Sequence, residues 1–303
     1  MARGGFEMAD QAGRTVLVTG ANSGLGFCAA REFALHGARV LMACRNAERA
    51  EAAVRRLRAE VPGADVEFRL LDLADLGCVR SFAAELDIDR LDLLINNAGV
   101  MGVPRGSTRD GFETHFGTNH LGPFALTGLL MPRLLSTPGS RVVSVSSAAH
   151  WIGRVDPPRL GEQRRYQRWV AYGRSKTAVL LFTRELARRL AAARASTVAL
   201  AAHPGYVATD LQAKAVGPDG SAVVDRMLVL GNRFVAGSPE VGVLPVLHAA
   251  CAPEAGPDDY FGPAVVRRKP IAAARRAPWA RDDQAARTLW VESERLTRVD
   301  YPL

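Results

Sequence analysis

From Thr15 to about Val145, short β-branched or leucine-rich runs alternate with longer stretches of helical pattern, and few folds accept that alternation. Thr15–Thr19, Arg39–Ala43, Val66–Leu71, Leu91–Ile95, Arg141–Val145 and Thr197–Ala201 read as strands. Between them Leu25–His36, Ala47–Glu60, Leu76–Leu86, Phe112–Leu135 and Arg168–Ala193 read as helices, with stops at Gly37 and at Pro62-Gly63. Leu91–Ile95 is almost wholly apolar, which suits a parallel strand buried on both faces. Strands joined by crossover helices form right-handed βαβ units, so the expected fold is α/β. It is a single-domain, Rossmann-type, doubly wound parallel sheet with helices on both faces. Residues 1–13 are expected to be a flexible N-terminus and 14–303 one domain, since no linker or repeat divides the chain. Three stretches break the alternation. They are the charged insert 148–167, the segment 206–237 read as a substrate lid or a packing surface, and the extension 253–303, whose last helical pattern is Asp282–Leu296.

The glycines that follow the first strand narrow the function. Thr19-Gly20-Ala21-Asn22-Ser23-Gly24-Leu25-Gly26 runs from a strand into a helix, with glycines spaced G-x-x-x-G-x-G. Glycine lets backbone amides approach a pyrophosphate, and the helix N-terminus adds partial positive charge. The end of the second strand then chooses the cofactor. A carboxylate there would hold the ribose hydroxyls of NAD, but Met42-Ala43-Cys44-Arg45 ends on an arginine. A guanidinium grips a 2′-phosphate, so NADP(H) is preferred and NAD(H) stays open. Arg45 could instead simply open the next helix on the surface.

A second pattern supplies an acid and a base. Tyr172 and Lys176 lie one helical turn apart on the same face. An ammonium beside a phenol favours the phenolate and would lower its reference pKa of roughly 10. Such Tyr-x-x-x-Lys pairs also arise by chance. Composition sharpens the case, because only three lysines (Lys176, Lys214 and Lys269) stand among 39 basic residues. Arginine cannot act as a tunable ammonium, and lysine can.

Several classes of function are disfavoured. The net charge of +8 comes from arginines scattered without a basic block or interleaved aromatics, so no nucleic-acid partner is expected. Cys28, Cys44, Cys78 and Cys251 are widely spaced, which fits a reducing compartment and predicts neither a disulfide framework nor a metal site. No apolar run is long enough to span a membrane and no secretory signal is evident, so a cytoplasmic protein is expected.

Together these motifs make the chain resemble the short-chain dehydrogenase/reductase family from about Thr15 to Asp210. Asn96-Asn97-Ala98-Gly99 after the fourth strand is similar to the family's N-N-A-G segment. Leu71-Asp72-Leu73 is similar to its adenine-side aspartate, and Asn119 to its helix asparagine. Ser147 matches the catalytic serine, Tyr172 and Lys176 the Y-x-x-x-K signature, and Pro204-Gly205-Tyr206-Val207-Ala208-Thr209 the segment flanking the nicotinamide. Ala43-Cys44-Arg45-Asn46, the long interval between Ser147 and Tyr172, and His203-Pro204-Gly205 resemble the retinol-dehydrogenase-like branch. Membrane-bound members of that branch carry an N-terminal hydrophobic anchor, and no such stretch is found here.

The resemblance implies an NADP(H)-dependent oxidoreductase moving a hydride between nicotinamide and an alcohol, aldehyde or ketone with an apolar body. It implies that Tyr172 is the acid/base tuned by Lys176, that Ser147 orients the substrate oxygen, and that Asn119 anchors a proton-relaying water. The implied cofactor contacts are Gly20, Asn22, Ser23, Gly24, Leu25, Gly26, Arg45, Asp72, Leu73, Asn97, Ala98, Gly99, Tyr172, Lys176, Pro204, Gly205, Val207 and Thr209. Ser146 competes with Ser147, because neighbours on a strand face opposite ways. His120 and His203 are read as packed neighbours, and Trp151, Met227, Leu228 and Phe234 as candidate pocket walls. The family often forms homodimers or homotetramers through helices that here lie around Ala125 and Leu180, although the long tail could cover one of those faces. A rival function is a catalytically silent dinucleotide-binding regulator, which would be expected to lack one of the four catalytic side chains.

Overall fold

A computed structural model describes residues 7–156, 166–205, 238–264 and 271–303. Its strands are β1 Thr15–Thr19, β2 Arg39–Cys44, β3 Val66–Leu70, β4 Leu93–Asn96, β5 Arg141–Val145, β6 Val198–Ala202, β7 Tyr260–Pro263 and β8 Ile271–Ala273. They form one sheet in the order β3-β2-β1-β4-β5-β6-β7-β8, and only the β7–β8 pairing is antiparallel. The order reverses between β1 and β4. In such sheets the crevice at the carboxyl ends of those two strands is where ligands bind.

The helices are α1 Gly24–Leu35, α2 Ala47–Glu60, α3 Leu76–Glu85, α4 Thr114–Phe116, α5 Gly122–Leu135, α6 Arg168–Ala192, α7 Pro239–Gly242, α8 Leu244–Cys251 and α9 Asp283–Thr297. Strand side chains alternate between the two faces. Val16, Val18, Val40, Met42, Ile95 and Val143 pack with α1, α2 and α8, whereas Leu17, Leu41, Leu94 and Val142 pack with α3, α5, α6 and α9. Burial on both sides is why these strands read as unbroken apolar runs. Local capping sets the helix starts: Asn46 Oδ1 accepts from Arg49 N at 2.8 Å, and Gln167 Oε1 accepts from Val170 N at 2.6 Å.

Three features differ from the expectation. The helical run across Phe112–Leu135 is not one α-helix, because a π turn, Gly117–Leu121, separates α4 from α5 and carries Asn119. The extension beyond Pro253 holds strands as well as the expected last helix. It contributes β7, β8 and α9, and β7 pairs with β6 at Ala201↔Tyr260 and Ala202↔Phe261. The start of the chain is anchored from residue 7 onward, since Met8 and Gln11 are buried and Gln11 N donates to His36 O at 2.8 Å. The expected lid, 206–237, lies outside the described residues.

Helix α9 and the C-terminus also settle what covers α5 and α6. Trp290 stacks on Phe182 at a centroid distance of 5.9 Å and meets Phe124 edge-on at 5.1 Å. Tyr301 lies 4.4 Å from Trp290, and its hydroxyl donates to Phe124 O at 2.6 Å. A Cβ on Gly128 would come within 2.6 Å of Val299 Cγ1 and 2.7 Å of Tyr301 Cε2, so glycine is what admits the C-terminus here. Ala125 and Leu180, around which the resemblance places subunit pairing, are buried within this single chain. Among the described residues no helix is long and apolar enough to cross a membrane.

Candidate active site

The glycine loop turns from β1 into α1 at the crevice. Gly20 and Gly24 hold φ values of +67° and +54°, a region that costs a side-chain-bearing residue strain. Gly26 is needed for a different reason: a Cβ there would lie 2.4 Å from Gly20 O and 2.5 Å from Asn97 Nδ2. Helix α1 begins at Ser23 with no side-chain cap and no acidic residue in its first turn. Its first amides are therefore left for an anion, and the loop fits a pyrophosphate. Asn97 and Ala98 brace this turn. Asn97 Nδ2 donates to Thr19 O at 2.8 Å, and the backbone N–H groups of Asn97 and Ala98 each donate to Thr19 Oγ1 at 3.0 Å. The amides of Ala21 and Asn22 near the Cys44 sulfur act to lower its pKa, although burial dominates and pushes it up to about 11.

Arg45 stands exposed just past β2 and makes no ion pair among the described residues. Asp72 Oδ1 accepts from Ala74 N at 2.9 Å, which closes a local turn. Leu73 is buried, and its carbonyl lies where a Cβ on Gly122 would approach to 2.3 Å. Pro204 and Gly205 follow β6, with Gly205 at φ +72° and its N–H donating to His203 Nδ1 at 3.1 Å. Val207 and Thr209 lie outside the described residues.

The second group of side chains meets at the carboxyl ends of β4 and β5. The Ser147 hydroxyl lies close enough to the Tyr172 phenol to lower its pKa, and its Oγ accepts from Ala149 N at 3.2 Å. Ser146 faces away, its hydroxyl donating to Lys176 O at 2.9 Å, as strand alternation requires. Lys176 Nζ donates to Val145 O at 2.9 Å and stands 5.8 Å from the centre of the Tyr172 ring. Asn119 Oδ1 accepts from Val100 N at 2.7 Å, while its Nδ2 donates to Val100 O and to Ser175 Oγ, both at 2.9 Å. Both amide hydrogens are thus spent, so a water held by this side chain has only oxygen to bond to. Gly99 closes the gap to the first group: a Cβ there would lie 2.9 Å from Asn119 Oδ1 and 3.6 Å from Lys176 Nζ.

The electrostatics differ from the local expectation for a Tyr–Lys pair. Burial raises the Tyr172 pKa to about 12, against a lowering contribution from Ser147, and burial lowers that of Lys176 to about 8. Desolvation disfavours the charged form of each group. Tyr172 is accordingly a protonated donor near neutrality.

Several neighbours carried no clear signal in the sequence. Trp169 packs with Tyr172, and Met101 and Ala149 lie against them, making an apolar wall. Its position three residues before Tyr172 puts it on the same helix face, and that spacing was the available clue. Buried His115 lies 2.9 Å from Glu113 Oε1 through Nδ1, and its ring is 6.0 Å from that of Tyr172. The Tyr166 hydroxyl donates to Glu113 Oε1 at 3.2 Å, tying the residue before the α6 cap to that pair. Trp151 is 45% exposed and so is no wall of a buried pocket. Met227, Leu228 and Phe234 lie outside the described residues. His120 is packed between Phe116 and Phe124, and burial drives its pKa down to about 3.

A family model described as short chain dehydrogenase matches residues 14–218. The chain is 41% identical to retinol dehydrogenase 13 of Homo sapiens over 294 residues, covering 96% of this chain and 86% of that protein. It is 42% identical to dehydrogenase/reductase SDR family member 13 of Bos taurus, covering 95% of this chain and 74% of that one. A solved structure of an uncharacterized protein from Mycobacterium paratuberculosis superposes with a TM-score of 0.81 at 43% identity, covering 98% of both chains.

Proposed function

The chain belongs to the short-chain dehydrogenase/reductase family, in its retinol-dehydrogenase-like branch, and from that premise we propose an NADP(H)-dependent enzyme that interconverts apolar aldehydes or ketones and their alcohols. The family shows an oxidoreductase acting on alcohol or carbonyl groups with a nicotinamide dinucleotide. The observation that carries the finer reading is the meeting of Tyr172, Ser147 and Lys176 beside Gly99, at the edge of the crevice that holds the glycine loop.

The bound nicotinamide would supply or accept the hydride, and the chain's own groups manage the oxygen. The Gly20–Gly26 turn and the first amides of α1 would hold the pyrophosphate. Arg45 would hold the 2′-phosphate, and the segments at Asp72–Leu73 and Asn97–Gly99 would flank the adenosine. Ser147 Oγ donates a hydrogen bond to the substrate oxygen and keeps it beside the phenol. Tyr172 Oη delivers a proton to that oxygen in reduction and takes it back in oxidation. Lys176, fixed on Val145 O, presents its ammonium to the ribose and the phenol. Asn119 locks Val100 and thereby the wall next to Lys176. Met101 and Trp169 favour a substrate with an apolar body, in line with a relative named for retinol. A cytoplasmic location fits the sequence. A dimer or tetramer would have to pair through a face other than the one covered by α9 and the C-terminus. The silent-regulator reading would leave Asn119, Ser147, Tyr172 and Lys176 without a task.

Turnover is to be sought by following the absorbance of the reduced nicotinamide, with NADPH and NADP against aldehydes, ketones and sterol-like alcohols. No turnover with any of them would refute the reading. Arg45→Asp should move the NADPH-to-NADH ratio of kcat/KM toward NADH by roughly 10–100-fold, the worth of a hydrogen bond to a charged group. An unmoved ratio would make Arg45 a surface residue only. The pH profile is a further check. Reduction needs Tyr172 and Lys176 protonated, so its rate should hold through neutrality and fall as pH rises through about 8, where Lys176 loses its proton. Lys176→Met should remove that inflection, whereas an inflection kept by the mutant would belong to another group.

A further inference from the structure

Ser147 stands one residue past the point where the sheet stops holding the chain. The last ladder bond of its strand is Ser146 N to Ala202 O at 2.8 Å. Beyond it, the Ser147 carbonyl is held by His150, whose backbone N lies at 3.1 Å and whose Nδ1 lies at 2.7 Å. The opposite ring nitrogen, Nε2, is 3.2 Å from the backbone N–H of Ala277. An N–H can only donate, so Nε2 is the acceptor and Nδ1 carries the hydrogen given to Ser147 O. The His150 carbonyl accepts from Trp279 Nε1 at 3.0 Å and from the Thr177 hydroxyl at 3.1 Å, and Thr177 directly follows Lys176 on α6. His150 is 1% exposed. It therefore joins the turn bearing Ser147, the helix bearing Tyr172 and Lys176, and the C-terminal segment at Ala277–Trp279.

We propose that His150 is a positioning residue, fixing the Ser147 carbonyl and hence the place of the Ser147 hydroxyl beside Tyr172, and that Ala277 selects the ring tautomer that lets it do so. The inference rests on the reading of Ser147 and Tyr172 given above. Burial keeps the ring neutral, with the nearby Arg276 charge acting in the same direction. The groups facing it from other elements are Arg276, Tyr260, whose ring is 5.8 Å away, and His203, whose own pKa is lowered in part by His150. In this arrangement the C-terminal extension is part of the support of the active site.

Two near-isosteres separate the two ends of the ring. Asparagine places an amide donor where Nδ1 stands, and glutamine places an acceptor where Nε2 stands. The full-length His150→Asn and His150→Gln proteins are compared with wild type for kcat, for KM of the carbonyl substrate, for NADPH affinity by fluorescence and for Tm. His150→Gln should lose about 10–100-fold in kcat, as a small misplacement of an orienting group does. Its Tm and NADPH affinity should stay near wild type. His150→Asn should recover most of that kcat while losing Tm, because the Ala277 amide is left unpaired. A wild-type kcat in His150→Gln, or activities that only track Tm, would overturn the proposal. Should both variants fold poorly, nitrogen NMR of histidine-labelled wild type decides, since a ring protonated at Nε2 is incompatible with the role. Wild-type protein that turns over no carbonyl would defeat the underlying functional reading and this inference with it, whereas active wild type with an unaffected Gln variant would defeat only this inference.

Discussion

Tyr172→Phe lowers kcat by about 10²–10⁴-fold, the usual worth of a positioned acid/base, and leaves NADPH binding close to wild type. The substitution removes one oxygen and nothing else from a buried ring. The phenyl group keeps its packing against Trp169, Met101 and Ala149, so the fold has little reason to respond. What disappears is the proton donor beside Ser147. A donor matters here because burial holds the phenol protonated, with its pKa pushed up to about 12. The check is a steady-state comparison of the two proteins together with fluorescence titration of NADPH. A mutant that still reduces carbonyls at a few tenths of the wild-type rate would remove Tyr172 from the mechanism.

Gly26→Ala weakens NADPH binding by about 100-fold or more, on the scale expected when a tightly fitted binding element is displaced by an ångström. The added methyl group would lie 2.4 Å from Gly20 O and 2.5 Å from Asn97 Nδ2. Neither atom can yield cheaply. Gly20 is tied by its N–H to Ala43 O at 2.7 Å, and Asn97 Nδ2 is tied to Thr19 O at 2.8 Å. The collision therefore moves the loop that has to meet the pyrophosphate. Gly63→Ala is the control, since Gly63 also has a positive φ, +81°, and a Cβ there meets nothing within 4 Å. The control should cost some stability and no cofactor affinity. Calorimetric titration of NADPH into both variants distinguishes the effects, and unchanged affinity in Gly26→Ala would move the dinucleotide away from this loop.

Most of the sheet was legible because β1, β2, β4, β5 and β6 are buried on both faces and stand out as apolar runs, while the half-exposed β3 reads from its alternating pattern. Both β7 and β8 were hidden. They are short, lie in a stretch rich in Pro, Gly and Arg, and gain their strand character from pairing, β7 with β6 and β8 with β7, rather than from composition. The π turn was hidden as well, since Gly117–Leu121 sits inside a stretch whose apolar spacing is simply helical. At the site, the residue types and their order could be read, and the structure brings Asn119, Ser147, Tyr172 and Lys176 to one place. The charge state of the pair could not be read. The i to i+4 spacing predicts attraction, but the degree of burial, which dominates both pKa values, depends on the whole fold. His150 was out of reach for the same reason. Its partner Ala277 is 127 residues away, and nothing local marks either one.

The central claim is that this chain moves a hydride between nicotinamide and a carbonyl carbon while Tyr172 supplies the proton. The most direct test is a single-turnover reaction of the wild-type protein with NADPH deuterated at C4, using apolar aldehydes including retinaldehyde, with the alcohol product analysed by mass spectrometry. The account predicts one deuterium on the carbinol carbon, formed by wild type and absent with Tyr172→Phe. Oxidation of NADPH with no deuterium in the alcohol, or equal labelling by the Phe variant, would contradict it.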